Sequence, residues 1–418
     1  MREGWKRTTL ANVADFRNGI NFVRGERGHS VKVVGVGDFQ RHETLADFNE
    51  TATVNITNEI GKDDLLRDGD LLFVRSNGNK DLVGRCVLIS GVKEPVTFSG
   101  FTIRARVKSP AVDHSYLSKL VRSPLFLEHL HRRGGGSSIN NLSQEALSEF
   151  TFGLPPLPEQ RKIAEILRTW DEALEKLNAL RALNIRRRVW FRTHLFTGKV
   201  RLPGFTGEWR VVPLSEVLHE HGSKSTGAEE VYSVSVHKGL VNQVEHLGRS
   251  FSAANTDHYN RVLPGDIVYT KSPTGDFPLG IIKQSKIDRE VIVSPLYGVF
   301  TPQTYALGVV LDALFESPLA ARNYLHPLVQ KGAKNTIAVT NSQFLEGKLR
   351  LPMDPGEQAA IADIVNASHA ECAGIDAEIE ALTRQKRGLM QKLLTGEWRV
   401  PLNHAETPIM TEEAEHAG

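Results

Sequence analysis

The sequence repeats itself, and the two parts of the repeat behave differently. GWKRTTLANVADF at 4–16 resembles EWRVVPLSEVL at 208–218, pairing Trp5 with Trp209 and Leu10 with Leu214 at an offset of 204. RDGDLLFVR at 67–75 resembles LPGDIVYTK at 263–271, pairing Gly69 with Gly265 at an offset of 196, which Gly84 and Gly280 keep. LPPLPEQRKIAEIL at 154–167 resembles LPMDPGEQAAIADIV at 351–365, pairing Gln160 with Gln358 at 198. LFTG at 195–198 resembles LLTG at 393–396, again at 198. The offset drifts ahead of the Glu-Gln pair and not at all after it. Each repeat is therefore a globular part that tolerates loop insertion, followed by a segment of fixed length. Fixed length is what a packed helix demands, because an inserted residue shifts its register.

The fixed segment reads as helix. Ile163, Leu167, Trp170, Leu174 and Leu177 alternate spacings of four and three in the first copy. Ile361, Val365, Ser368, Cys372, Ile375, Ile379, Leu382, Leu389 and Leu393 keep the same register in the second. That is a heptad seam. Pro158 and Pro355 suit helix starts, and Gly198 and Gly396 suit C-terminal stops. From Gln160 to Thr197 is 37 positions, or about 55 Å of helix at ~1.5 Å per residue. Such a helix cannot bury its seam against itself, and the other copy supplies a partner. The pair is expected to be antiparallel if the repeats are related by a two-fold axis, with the globular parts at opposite ends of a rod. The alternative is two amphipathic helices, each packed on its own domain.

The globular parts read as mixed α/β. Residues 70–76, 84–89, 266–271 and 280–284 look like strands between Gly-rich turns. Residues 116–134 and 309–332 look helical, each interrupted at a Ser-Pro, at Pro124 and Pro318. The predicted fold class is α+β, two mixed α/β domains separated by two long helices forming an antiparallel coiled coil, with an internal pseudo-two-fold repeat. The expected boundaries are a first domain at 1–153, a first helical region at 154–200, a second domain at 201–350, a second helical region at 351–400 and a disordered tail at 401–418.

Composition narrows the class further. The chain has 418 residues, 40% hydrophobic and 24% charged, which is ordinary for a globular protein of two or three domains. Two distant cysteines, Cys86 and Cys372, exclude a disulfide framework and a Cys-based zinc site and fit a reducing cytoplasm. No apolar run reaches the roughly 18 residues of a membrane span, and the N-terminal stretch has no apolar core of a secretory signal. The formal net charge of +2 argues neither for nor against nucleic acid. Any DNA-binding charge must be concentrated locally.

Two variable globular parts, each followed by an LPP-x-x-EQ-type start to a long helix, closely resemble the specificity (S) subunit of type I restriction-modification systems. The resemblance covers about residues 4–400. LPPLPEQRKIAEIL is its most specific element, supported by the duplicated Gly-Asp signature. It implies two target-recognition domains, each reading half of a split double-stranded DNA site, and helices that set the gap between the halves. It also implies two methylating (M) subunits docked on the S subunit, joined by restriction (R) subunits. S-adenosylmethionine, ATP and Mg²⁺ would then belong to those partners, and this chain would need no cofactor and catalyse nothing. By the same resemblance Leu154, Pro155, Glu159 and Gln160, with Leu351, Pro352, Glu357 and Gln358, would dock the M subunits. The second copy departs from the pattern, since Met353-Asp354 replaces Pro-Leu and Gly356 is added before Glu357. A rod of about 55 Å exceeds one DNA turn of ~34–36 Å, so the physical reading and the family reading agree.

Two loops in each repeat are candidates for DNA contact. The first follows the Gly-Asp strand: Arg75, Ser76, Asn77, Asn79 and Lys80 in one copy, Lys271, Ser272 and Thr274 in the other. Arg can bind guanine bidentately, Asn can bind adenine, and Ser or Thr can bind either less selectively. Ser-Asn-Gly-Asn also suits a solvated turn, but cations at corresponding positions, Arg75 and Lys271, favour function. The second loop precedes the Leu-Pro element: Arg132, Arg133, Ser137, Ser138, Asn140 and Asn141, then Lys331, Lys334, Asn335 and Thr336. A basic, Gly-rich, amide-rich loop suits phosphate and base contacts. Residues 181–201 hold Arg181, Arg186, Arg187, Arg188, Arg192, Lys199 and Arg201 and no acid. They serve equally as a solvated helix end or as a track for DNA backbone.

Catalytic signatures are missing. There is no GxxxxGK[ST], no [DNS]-P-P-[YF], no HExxH and no CxxC pair. Glu346-Gly347-Lys348 matches a nuclease ExK but has no counterpart in the first repeat. Three functions remain: a sequence-reading DNA subunit, favoured; a nuclease with an unrecognised site; and a coiled-coil scaffold that binds protein only.

Overall fold

The computed structural model describes residues 3–22, 28–39, 43–57, 60–133, 141–247, 256–331 and 337–401. The chain divides into two compact units, and neither is contiguous in sequence. Residues 1–177 with 378–418 make the first, and 178–377 make the second. Two helices, Leu157–His194 and Pro355–Leu394, each give one part to each unit.

The first unit is built on a five-stranded sheet in the order Ala14–Asn18, Thr102–Val107, Leu71–Val74, Cys86–Ile89, Thr44–Leu45. A three-stranded sheet of Thr53–Ile56, His29–Val34 and Val96–Phe98 accompanies it. Helices His114–Leu120 and Pro124–Arg133 are broken at Ser123-Pro124 as expected, because proline cannot donate to the helix ladder. The core gathers Leu71, Phe73, Ile103, Tyr116, Phe126 and Phe150 with Ile163 and Leu167 of one long helix. Met390, Leu393, Leu394 and Val400, from the far end of the chain, complete it.

The second unit repeats this plan in shorter form. Its sheet runs Leu218–His219, Gly298–Pro302, Ile267–Tyr269, Ile282–Gln284. Helices Tyr305–Phe315 and Pro318–Leu325 are again split at a Ser-Pro. The second stops seven residues short of the expected 332: a 3₁₀ turn at His326–Leu328, opened by Pro327, leads into a short strand, Gln330–Lys331. Pro327 has no N–H for the helix ladder and forces the break.

The Gly-Asp signature is a turn built twice in the same way. Gly69 and Gly265 have φ of 87° and 89°. The Arg67 and Leu263 N–H groups each donate to the following Asp70 or Asp266 carboxylate at 2.8 Å. Glycine is doubly required, since an added Cβ would overlap the His114 ring in one unit and the Tyr305 ring in the other. Asp70 is then neutralised by Arg106 through two bonds of 2.8 and 2.7 Å. Asp266 instead takes Thr301 at 2.6 Å and His221 at 3.0 Å.

The seam is real in both units, and none of the seam positions read from the sequence is exposed. It also continues through Asn184, 3% exposed, seven residues after Leu177. Within the second unit Arg181 pairs with Asp376 and Arg187 with Glu371, so the helix segments run antiparallel. Within the first unit Asp171 pairs with Lys386, and Leu167 shares a cluster with Met390. The tail after Pro401 lies outside the described residues.

Candidate nucleic-acid interface

Both long helices start from the same device. Strand Lys6–Thr9 pairs antiparallel with Thr151–Leu154, setting Lys6 opposite Leu154. Strand Trp209–Pro213 pairs with Lys348–Pro352, setting Arg210 opposite Leu351. The opening Trp segment of each repeat is thus laddered onto its Leu-Pro element. Pairing is confirmed one step further in, where the Leu10 N–H donates to the Phe150 carbonyl and the Leu214 N–H to that of Gly347, both at 2.9 Å.

The Glu-Gln pair holds the helix start from inside. Gln160 is fully buried. It accepts from the Asp113 N–H and donates to the Ala111 and Pro155 carbonyls, all at 2.8 Å. Gln358 accepts from Thr304 Oγ1 at 2.6 Å and donates to the Pro352 carbonyl at 2.8 Å. Glu159 accepts from Trp5 Nε1 at 3.1 Å. Glu357 takes Arg201 bidentately, at 2.7 Å twice. All four side chains are buried, as are Pro155, Leu351 and Pro352, and Leu154 is half-buried. The residues expected to dock partners are spent on fixing the direction in which each helix leaves its head.

The loops after the Gly-Asp strands are on the surface. Arg75, Ser76 and Asn77 are half-buried, and Asn79 and Lys80 exposed. Asn77 Oδ1 accepts from the Asn79 N–H at 2.8 Å, and Asn79 Oδ1 from the Asp81 N–H at 3.1 Å. Their side-chain oxygens thus shape the loop. In the second unit Ser272 and Thr274 are exposed and Lys271 half-buried. Among the described residues Lys271 is the one non-glycine with positive φ, 58°. Burial pulls its ammonium below the usual lysine range, against the opposing charge of Glu220.

The second pair of loops is only partly described. Arg132 and Arg133 end helix Pro124–Arg133, exposed, and pair with Glu128 and Glu149. Asn141 is exposed. Lys331 lies in a hairpin opposite Ile337. Ser137, Ser138, Asn140, Lys334, Asn335 and Thr336 lie outside the described residues.

The basic end of the first long helix finds its counter-charges within the second unit. Besides the pairs already given, Arg188 and Arg192 reach Glu316 and Arg201 reaches Glu357. Five of the seven cations are therefore in ion pairs, a third possibility that the local sequence did not offer. Two exposed residues escaped the sequence reading altogether: Phe101, beside Arg75, and Leu296, at the corresponding turn of the second unit. Aligning VTFSGF at 96–101 with VIVSPL at 291–296 would have found them.

Comparison with known proteins fits this architecture. Residues 2–184 match the sequence model of the type I restriction modification DNA specificity domain. The StySPI type I specificity subunit of Salmonella potsdam is 28% identical over 190 residues, which span 43% of this chain and 40% of that protein. The MjaVIII type I specificity subunit of Methanocaldococcus jannaschii is 23% identical over 426 residues, covering 95% of this chain and 94% of its own length. Two solved structures share the fold at low identity. A chain of a type I restriction-modification assembly aligns with a TM-score of 0.56 at 15% identity, covering 95% of this chain and 99% of its own length. The S subunit from M. genitalium aligns at 0.54 and 14%, covering 93% and 96%. With its doubled head and doubled helix start, the chain resembles the specificity subunits of type I restriction-modification systems.

Proposed function

We propose that each head reads one half of a bipartite duplex DNA site, and that the chain does so without chemistry of its own. The carrying observation is the placement of Arg75 and Lys271 at matching strand ends of two heads that share a plan and differ in loops. Arg132 and Arg133 would add phosphate contacts, which set affinity and leave sequence to a few side chains. The rigid helix starts made by Gln160 and Gln358 would present the helices to two methylating subunits, with restriction subunits joining them. S-adenosylmethionine, ATP and Mg²⁺ would be handled by those partners. No described helix is long and apolar enough to cross a membrane, and we place the chain with DNA in the cytoplasm.

The test is methylome sequencing of cells expressing the chain with its methylating subunit, repeated with residues 1–150 exchanged for a relative's domain. A two-part adenine motif of which only one half changes is the expected result. An assembled pair that yields no motif would move the protein-only scaffold to the front. Arg75→Ala should weaken or relax only the first half-site, by roughly 1–3 kcal/mol if Arg75 reads a base. Equal loss on all sequences would assign it to phosphate.

A further inference from the structure

Both heads hold out a large apolar side chain at the same point of the fold. Phe101 is 62% exposed and Leu296 70%. Each is the third residue of a tight turn opened by a serine. The Thr102 N–H donates to the Ser99 carbonyl at 2.9 Å, and the Tyr297 N–H to the Ser294 carbonyl at 3.0 Å. Each turn leads into the strand beside the Gly-Asp strand, with Val74 opposite Thr102 and Tyr269 opposite Gly298. The exposed side chain therefore sits across from Arg75 in one head, and in the other lies two residues beyond the Tyr269–Gly298 pair, as Lys271 does on the facing strand. In the first head the link is direct, since the Arg75 N–H donates to the Phe101 carbonyl at 2.8 Å.

A single exposed apolar residue needs no explanation. The same exposure at corresponding turns of two heads, beside corresponding cations, does. Both turns are also held still. The Gly100 N–H donates to the Ile20 carbonyl at 2.8 Å, and a Cβ on Gly100 would meet Asn21 Oδ1 at 2.0 Å. Asn260 Nδ2 donates to the Pro295 and Tyr297 carbonyls at 3.4 and 2.8 Å. Phe101 lines an open cavity of ≈ 960 Å³ together with Ile20, Phe22, Val33, Val54 and Asn77. Ser99, 8% exposed, also lines it, with its Oγ unpartnered.

We propose that Phe101 and Leu296 are the apolar base contacts of the two half-sites, each touching a thymine methyl in the major groove. This rests on the DNA-reading assignment above. Neither Ser-Gly-Phe nor Ser-Pro-Leu carries a charge, and the exposed phenyl and isobutyl groups have no hydrogen bond to offer a phosphate oxygen. A phenyl and an isobutyl group share only dispersion and water exclusion. The thymine methyl is the apolar group that base pairs display in the major groove.

The experiment uses the complex of this chain with its methylating subunit and duplexes carrying its methylome motif. Each thymine is replaced in turn by uracil, which removes only the methyl. One replacement in each half should weaken wild-type binding roughly fourfold, the worth of one buried methyl. Phe101→Ala should bind the first-half thymine and uracil duplexes alike while keeping the second-half dependence, and Leu296→Ala should do the reverse. Phe101→Leu, which keeps an apolar tip, should retain the dependence and guards against a folding defect. The proposal is overturned if Phe101→Ala keeps the wild-type dependence, if it loses affinity equally for every sequence, or if no uracil in the first half matters. A wild-type complex that does not prefer its motif over an unrelated duplex overturns the DNA-reading assignment itself.

Discussion

A few buried polar residues hold each head to its helix, and removing them has calculable effects. Gln160→Ala would strip partners from the Asp113 N–H and from the Ala111 and Pro155 carbonyls. Leaving such groups buried and unpaired should cost ~2–4 kcal/mol, read as a shift in urea midpoint at unchanged slope. Glu316 gives a pH signature. Burial alone would raise its carboxyl, but the His369 hydrogen bond and the Lys283 and Arg188 charges outweigh that and hold it at about 2, below its ordinary 4.5. A carboxyl depressed in the folded state stabilises fully above 4.5 and loses that contribution as pH falls through about 2. Glu316→Gln should therefore be less stable than wild type near pH 6, with the gap closing between pH 4.5 and 2 in paired denaturation curves. Residues such as Gly69 and Gly265 were legible in the sequence because a left-handed turn leaves a local mark. Gln160 was legible as a motif but not as a clamp, since Ala111, which it grips, lies 49 residues away. Phe101 and Leu296 were missed because an aromatic or leucine beside a strand reads as core.

At the scale of elements, the helices were legible because a heptad is a repeated local pattern, and their partners were not. The ladder between Lys6–Thr9 and Thr151–Leu154 joins segments about 145 residues apart, and strand pairing leaves no mark on either segment alone. The basic stretch at 181–201 shows the same limit: its acids, Glu316, Glu357, Glu371 and Asp376, all lie more than a hundred residues on. Those ion pairs should differ sharply in worth. Arg187 and Glu371 are each nearly half exposed, and a double-mutant cycle should return only a small coupling, shrinking as salt is raised. Glu357 is 2% exposed and gripped by two bonds from Arg201. Arg201→Ala would strand a buried charge and should cost about 3–5 kcal/mol. If both pairs return the same value, burial is not what separates them.

For the whole molecule, the repeat does not coincide with the compact unit. Sequence offsets divide the chain near residue 200, whereas packing joins 1–177 to 378–418. Residues 1–177 alone should therefore lack a cooperative melt, and the same residues joined to 378–401 through a short flexible linker should recover one. Leu393→Ala, 3% exposed in the wild type, should destabilise the first head by ~2–5 kcal/mol although it lies at the opposite end of the sequence. The shared core also sets an order of events in time. The ribosome makes the first head early, yet Met390, Leu393, Leu394 and Val400 follow only after the intervening residues 178–377. At roughly 5–20 residues per second that is a wait of about 10–40 s. Through that interval the nascent head carries an unfilled apolar face, so the most dangerous moment for this protein is its own synthesis.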